Sequence, residues 1–212
     1  MRFSPKYFEQ IIEYEVELNA IPISSINQGK DIIVNWRLFN GFDPKGKFWT
    51  DSNSLMMMER NINQREQFRF NITNSTIASN YYPVDSAIAM RDFNGSNLQV
   101  TVMNDRAQGG SADLNSKASI ELMQHRRITE DDNKGAIEPL NETDSSGVGI
   151  KATASYYMQI FDYQHHRSLQ RDYQEAISNP LQYFFAFNYK QSAIYKPSPD
   201  YRSTSHSPYM FM

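Results

Sequence analysis

Alternation with a period of two residues, repeated in short runs along most of the chain, limits this sequence to a fold built from strands. Ile12, Tyr14, Val16 and Leu18 alternate with Glu13, Glu15 and Glu17, giving a strand over 12–18 with one apolar and one acidic face. Leu98, Val100 and Val102 alternate with Gln99, Thr101 and Met103. Ile120 and Leu122 do the same with Glu121 and Met123. Further strand-like runs fall at 32–38, 47–51, 55–59, 67–72, 86–90 and 150–161, separated by turn-forming residues such as Asp43-Pro44-Lys45-Gly46. Residues 181–189 are nearly continuous in Tyr and Phe and read as a strand buried on both faces.

One stretch departs from the pattern. Leu169, Tyr173, Ala176 and Ile177 recur at helical spacing, predicting a helix over 164–177 that Asn179-Pro180 stops. Strands in series, without helices alternating between them, predict an antiparallel β-sandwich with one short helix. With 212 residues and 40% hydrophobic content the chain has enough apolar surface for one large β domain, placed at 1–196. Residues 197–212 are expected to be a flexible tail.

Several function classes are excluded by composition. There is no cysteine, so neither a disulfide framework nor a thiolate site is available. Lys and Arg total 21 against 24 Asp and Glu, with no basic cluster beyond a triplet, which argues against nucleic acid as a partner. No apolar run approaches the ~18 residues of a membrane span, and no signal peptide is visible over residues 1–6. Four Asn-x-Ser/Thr sequons, at Asn71, Asn74, Asn94 and Asn141, are possible N-glycan acceptors.

Candidate chemistry concentrates in residues 104–111, Asn-Asp-Arg-Ala-Gln-Gly-Gly-Ser, which read as a polar loop between two strands. Gly109-Gly110 is expected to take positive φ and to let another group approach the backbone closely. His125, Arg126 and Arg127 follow on the next strand. Alternation places His125 and Arg127 on the face of Glu121 and Met123, opposite Leu122, as a basic rim pairing with Glu59, Asp131 or Asp132. His165-His166 and Glu130-Asp131-Asp132 are better read as a solvated helix start and a solvated turn than as metal sites, because neighbouring rings diverge and the acids lack alternating ligand spacing. Trp36, Trp49, Tyr81 and Tyr82 are either core residues or a stacking platform for a sugar ring.

Residues 105–106 and 108–110, then Glu121-Leu122-Met123 and His125-Arg126-Arg127, resemble the C-terminal β region of glycoside hydrolase family 38, the lysosomal and Golgi-type α-mannosidases. Blocks in the same order flank them: Thr50-Asp51-Ser52-Asn53 with Glu59-Arg60, Asn80-Tyr81-Tyr82-Pro83-Val84, Asp131-Asp132 with Gly135, and Glu138-Pro139-Leu140. Departures from the family pattern are Ser54, Asn133 and Lys134 in place of Gly, Gly and Arg, and Ala107 and Ala112 in place of Ser.

The resemblance spans roughly residues 8–190. It implies a galactose-mutarotase-like β domain and a parent enzyme that hydrolyses terminal α-D-mannose. It also implies that Arg106, Asp105, Gln108, Gly109 and Gly110 line the sugar pocket. That enzyme's zinc, held by a His-x-Asp pair, a further Asp and a distant His, belongs to a separate N-terminal catalytic domain. No His in this chain is followed two residues later by Asp, so no catalytic or metal-binding residue and no cofactor are assigned here. The implied partners are an α-mannosidase catalytic domain or chain and mannose-containing glycans. The implied location is the lysosome, vacuole or secretory pathway. The alternative is a standalone carbohydrate-binding or protein-interaction module.

Overall fold

The computed structural model describes residues 2–3, 11–23, 29–39, 41–65, 76–112, 118–131, 133, 135, 137–164 and 166–180. Among these, two antiparallel sheets face each other. The larger runs in the order β1 (Arg2–Phe3), β2 (Ile11–Leu18), β11 (Ala152–Asp162), β8 (Leu98–Asn104), β7 (Ala87–Arg91), β4 (Lys47–Asp51) and β5 (Met57–Asn61). The smaller runs β3 (Gly29–Arg37), β10 (Ser119–Ile128), β9 (Gln108–Ala112) and β6 (Tyr82–Val84). This is the predicted β-sandwich. The expected strands over 67–72 and 181–189, and the tail from 197, lie outside the described residues.

The apolar halves of the alternating strands meet between the sheets. Phe48, Ile88, Met90, Val100, Val102, Ala154, Tyr156 and Met158 pack against Tyr82, Val84, Ala112, Ile120 and Leu122, with Val34 and Trp36 at the margin. Trp36 sets its ring edge-on to Tyr156 at 5.0 Å and to Tyr14 at 6.3 Å. Burying each large side chain contributes roughly 1.5–3 kcal/mol, and this sets the face each strand turns inward. The acidic face of β2 points away, with Glu15 and Glu17 exposed.

The late helix forms as α2 (His166–Ser178) and covers the outer face of the larger sheet. Leu169, Tyr173 and Ile177, one turn apart, rest on Ile11, Met57, Ala87, Met103 and Tyr157. A second helix, α1 (Thr76–Ser79), corrects the expectation of only one. A single turn is too short to show a hydrophobic period.

Two further corrections concern the candidate residues. The segment 104–111 is not one loop: Asn104 still belongs to β8, and Gln108–Ala112 form β9, leaving Asp105, Arg106 and Ala107 as the connection. A Gly-Gly-Ser sequence carries no apolar alternation, so a strand there leaves no periodic signal. In β10 the register slips at Gln124, with Met123 opposite Ile33 and His125 opposite Ile32. Directly paired residues share a face. His125 and Arg127, opposite Ile32 and Lys30, therefore turn to the side of Leu122, while Arg126 faces outward. A bulge adds one residue to the strand and inverts the phase of all that follows.

Candidate functional site

Two very short crossovers lie side by side at one end of the sandwich. Asp85-Ser86 carries the chain from β6 to β7, and Asp105-Arg106-Ala107 carries it from β8 to β9, each passing between sheets. β2 and β10 end, and β11 begins, at the same rim.

Arg106 forms a two-pronged pair with Asp105, Nε to Oδ1 and Nη2 to Oδ2, both at 2.9 Å. Nη2 also donates to the Thr153 carbonyl at 2.6 Å, and the Ser155 amide donates to Asp105 Oδ2 at 3.0 Å. The pair is thus tied to the backbone of Thr153 and Ser155 at the start of β11. Burial alone would push the Asp105 carboxyl up, but the hydrogen bonds from Arg106 and Ser155 and the guanidinium charge outweigh it and leave the pKa lowered. The Arg106 pKa is raised by its bond to Asp105. Asp105 is therefore a fixed anion with committed oxygens, unsuited to donating a proton. The Arg106 side chain is 54% exposed, and the N–H groups of Nη1 remain for hydroxyl acceptors.

Gly109 and Gly110 lie in β9 without positive φ. What they require is space. A Cβ on Gly110 would sit 2.6 Å from Val84 Cγ2 and 2.9 Å from Leu122 Cδ2, and one on Gly109 would sit 3.0 Å from Met123 Sδ. The close neighbours are the protein's own core and strand side chains.

Gln108 points inward, its Nε2 donating to the Met123 carbonyl at 2.7 Å and to the Tyr156 hydroxyl at 2.9 Å. The Tyr156 hydroxyl donates in turn to Gln124 Oε1. Asn104, paired with Tyr156 across β8 and β11, donates from Nδ2 to the carbonyls of Arg106 and Val84. Sequence reasoning missed Gln124 and Tyr156. Their signal was their position, since both continue inward-facing rows, Leu122-Gln124 and Ala154-Tyr156-Met158.

The other candidates disperse. Arg126 pairs with Asp31 across the strands at 2.5 Å, rather than with the acids expected for the basic triplet. Arg127 turns in and donates to the Ile21 carbonyl and to Asn141 Oδ1, both at 2.7 Å. His125 Nε2 lies 3.3 Å from the Ile150 carbonyl. Glu59 pairs with Lys47, and Asp131 accepts from the Asn133 amide within its own turn. Asp51, buried at the same rim, accepts from the amides of Ser86 and Ala87 and from the Ser86 hydroxyl.

Trp36 packs at the margin of the core, and Tyr82 and Trp49 are buried. Tyr82 is approached by the Arg60 and Arg65 guanidinium groups at 4.4 and 4.3 Å, and Trp49 by Arg91 at 4.3 Å. Tyr81 donates to Glu121 at 2.6 Å. The sequon residue Asn94 is exposed and Asn141 half-buried; Asn71, Asn74, Asp132 and His165 lie outside the described residues. Among the described residues no three His, Asp or Glu side chains converge as a metal site, and no helix is long and apolar enough to cross a membrane.

Comparison with known proteins matches residues 10–134 to the model of the glycosyl hydrolases family 38 C-terminal domain. Lysosomal alpha-mannosidase of Bos taurus is 39% identical over 140 residues, covering 66% of this chain and 13% of that protein. The Homo sapiens lysosomal alpha-mannosidase is 40% identical over 134 residues, covering 63% and 12%. A probable alpha-mannosidase of Arabidopsis thaliana is 32% identical over 178 residues, covering 82% and 16%. The chain therefore spans only a small part of the length of each. With residues 10–134, more than half of the chain, matched by that family model, the chain belongs to glycosyl hydrolase family 38, through its C-terminal domain.

Proposed function

We propose that this chain is a C-terminal β-sandwich portion of an α-mannosidase, serving the hydrolysis of terminal α-D-mannose residues by lending one wall to a catalytic centre carried outside these 212 residues. The observation behind the reading is the Asp105–Arg106 crossover, which lies within the matched span and presents a half-exposed guanidinium at the rim. A retaining glycosidase needs two carboxyl groups about 5 Å apart, one nucleophile and one acid/base. Asp105 cannot take either part while both its oxygens are bound. The described residues also do not fit the family's zinc, since no converging donor set is present among them. The role left to Arg106 is binding, its Nη1 donating to sugar hydroxyls while Asp105 and Thr153 fix its plane. Gln108, Gly109 and Gly110 support that loop from behind.

The partner is then an α-mannosidase catalytic domain or chain, and the ligand a mannose-containing glycan. The relatives named lysosomal support a lysosomal, vacuolar or secretory location, where Asn94 is the accessible glycan acceptor among the described sequons.

The test is co-expression with a family 38 catalytic domain and measurement of p-nitrophenyl α-mannoside hydrolysis. Arg106→Ala should lower kcat/KM by roughly 10- to 100-fold, the worth of a charged hydrogen bond to substrate. An unchanged kcat/KM would refute the wall. Mannose binding by the isolated chain that vanishes in Arg106→Ala would favour the standalone module instead.

A further inference from the structure

Four polar side chains meet on the inner face of the sandwich, beneath the Arg106 crossover. Asn104, Gln124 and Tyr156 are at least nine-tenths buried. They stand where apolar residues would satisfy the fold, in line with Val102, Leu122 and Ala154. Each arrives by a different route. Asn104 is the last residue of β8, Gln108 the first of β9, Tyr156 sits on β11, and Gln124 is the residue the bulge inserts into β10.

Three of the four are bonded in a chain, and Asn104 bonds separately to backbone. Gln108 donates to Tyr156, Tyr156 donates to Gln124, and Asn104 holds the Arg106 carbonyl. Among the described residues, Asn104 Oδ1, Gln108 Oε1 and Gln124 Nε2 are buried without a protein partner. Stranding polar atoms in a core opposes stability, and a same-sized apolar filling would avoid it. A cluster kept at that disadvantage has its explanation in what it holds. It holds both ends of the crossover, whose side chains are pinned separately to Thr153 and Ser155.

We propose that Gln108, Gln124 and Tyr156, with Asn104, form a buried positioning network that sets the orientation of the Asp105–Arg106 crossover for ligand binding, with no contact of their own to the ligand. The proposal rests on the reading above that Arg106 faces the sugar. Without the Tyr156 hydroxyl, the Gln108 amide keeps only the Met123 carbonyl, and the first residue of β9 loses its tie to the larger sheet.

The test uses the full 212-residue chain. Amide exchange at Gln108 and the NMR resonance of Arg106 Nε–H would be followed in Tyr156→Phe, in Gln124→Leu and in Gln124→Glu. Gln124→Glu keeps an oxygen within reach of the Tyr156 hydroxyl. Tyr156→Phe and Gln124→Leu should speed exchange at Gln108 about tenfold or more and broaden the Arg106 signal, with Val102 and Leu122 amides unchanged. Gln124→Glu should restore both. Should Tyr156→Phe fail to fold, Gln124→Leu, which leaves the aromatic ring in place, carries the test.

Exchange rising equally at Val102 and Leu122 would mean a general packing loss and overturn the positioning role, as would no change at Gln108 and Arg106. In the assay with the catalytic domain, KM should rise with kcat nearly kept. Loosening of Arg106 without that rise would uphold the network and count against the sugar-facing role of Arg106, so the two failures are distinguishable.

Discussion

Gly110→Ala isolates the packing beneath the candidate loop. The backbone at Gly110 is ordinary strand conformation, so an alanine meets no φ penalty. Outside the core, glycine to alanine in a strand would stabilise by roughly 0.5–1 kcal/mol. Here the added methyl would stand 2.6 Å from Val84 Cγ2, 2.9 Å from Leu122 Cδ2 and 3.1 Å from Ile88 Cδ1. The leucine and isoleucine contacts involve chain ends that can swing away. The valine contact does not, because a β-branched side chain has little rotamer freedom and Val84 is fully buried.

Overpacking of this kind costs about 1–3 kcal/mol. Net of the propensity gain, Gly110→Ala should lose about 0.5–2 kcal/mol in urea unfolding and about 1–8 °C in Tm. Val84→Ala alone destabilises by leaving a cavity. In the Gly110→Ala background it should cost less, giving a favourable coupling of about 0.5–2 kcal/mol in a double-mutant cycle. A Gly110→Ala protein as stable as the parent, or strictly additive costs, would refute the claim that this glycine exists for core contact.

Further expectations follow from the charges. Burial would push the Asp92 carboxyl up, but the amides of Asp43, Asn94 and Ser96 and the Ser96 hydroxyl outweigh it, taking the pKa from 3.8 to about 2. A depressed carboxylate contributes stability that is present above its unfolded value and lost as pH falls through the folded one. Asp92→Ala should therefore cost about 2 kcal/mol at pH 7 and far less near pH 2, read by thermal unfolding at both. Arg127→Met should lose about 2–3 kcal/mol, because the Ile21 carbonyl and Asn141 lose a charged donor. Arg106→Ala should change stability by under about 1 kcal/mol, as its ion pair is exposed. A large loss there would mark the residue as structural.

The sequence made the sandwich legible where one face of a strand is apolar and the other polar. β4 begins and ends as read, β2 within one residue, and α2 shows its i, i+4, i+8 row. Legibility failed where the period is absent or interrupted. β9 is Gln-Gly-Gly-Ser-Ala, and β6 has only three residues, Tyr-Pro-Val, so neither displays an alternation. The bulge at Gln124 has no local sequence mark, yet it inverts the facing of His125 and Arg127. Within the candidate site, the Asp105–Arg106 pair was visible as neighbours in sequence. Its attachment to Thr153 and the buried Tyr156 cluster depend on contacts some 50 residues apart, which no window along the chain contains.

Incubation of the purified chain with zinc and p-nitrophenyl α-mannoside is the most direct trial of the proposal that this domain frames a reaction carried out by residues elsewhere. No release of p-nitrophenol above the uncatalysed rate is the predicted result, with turnover appearing when a family 38 catalytic domain is supplied. Sustained hydrolysis by the chain alone would contradict it, because these residues would then hold the acids and the metal that the account places outside them.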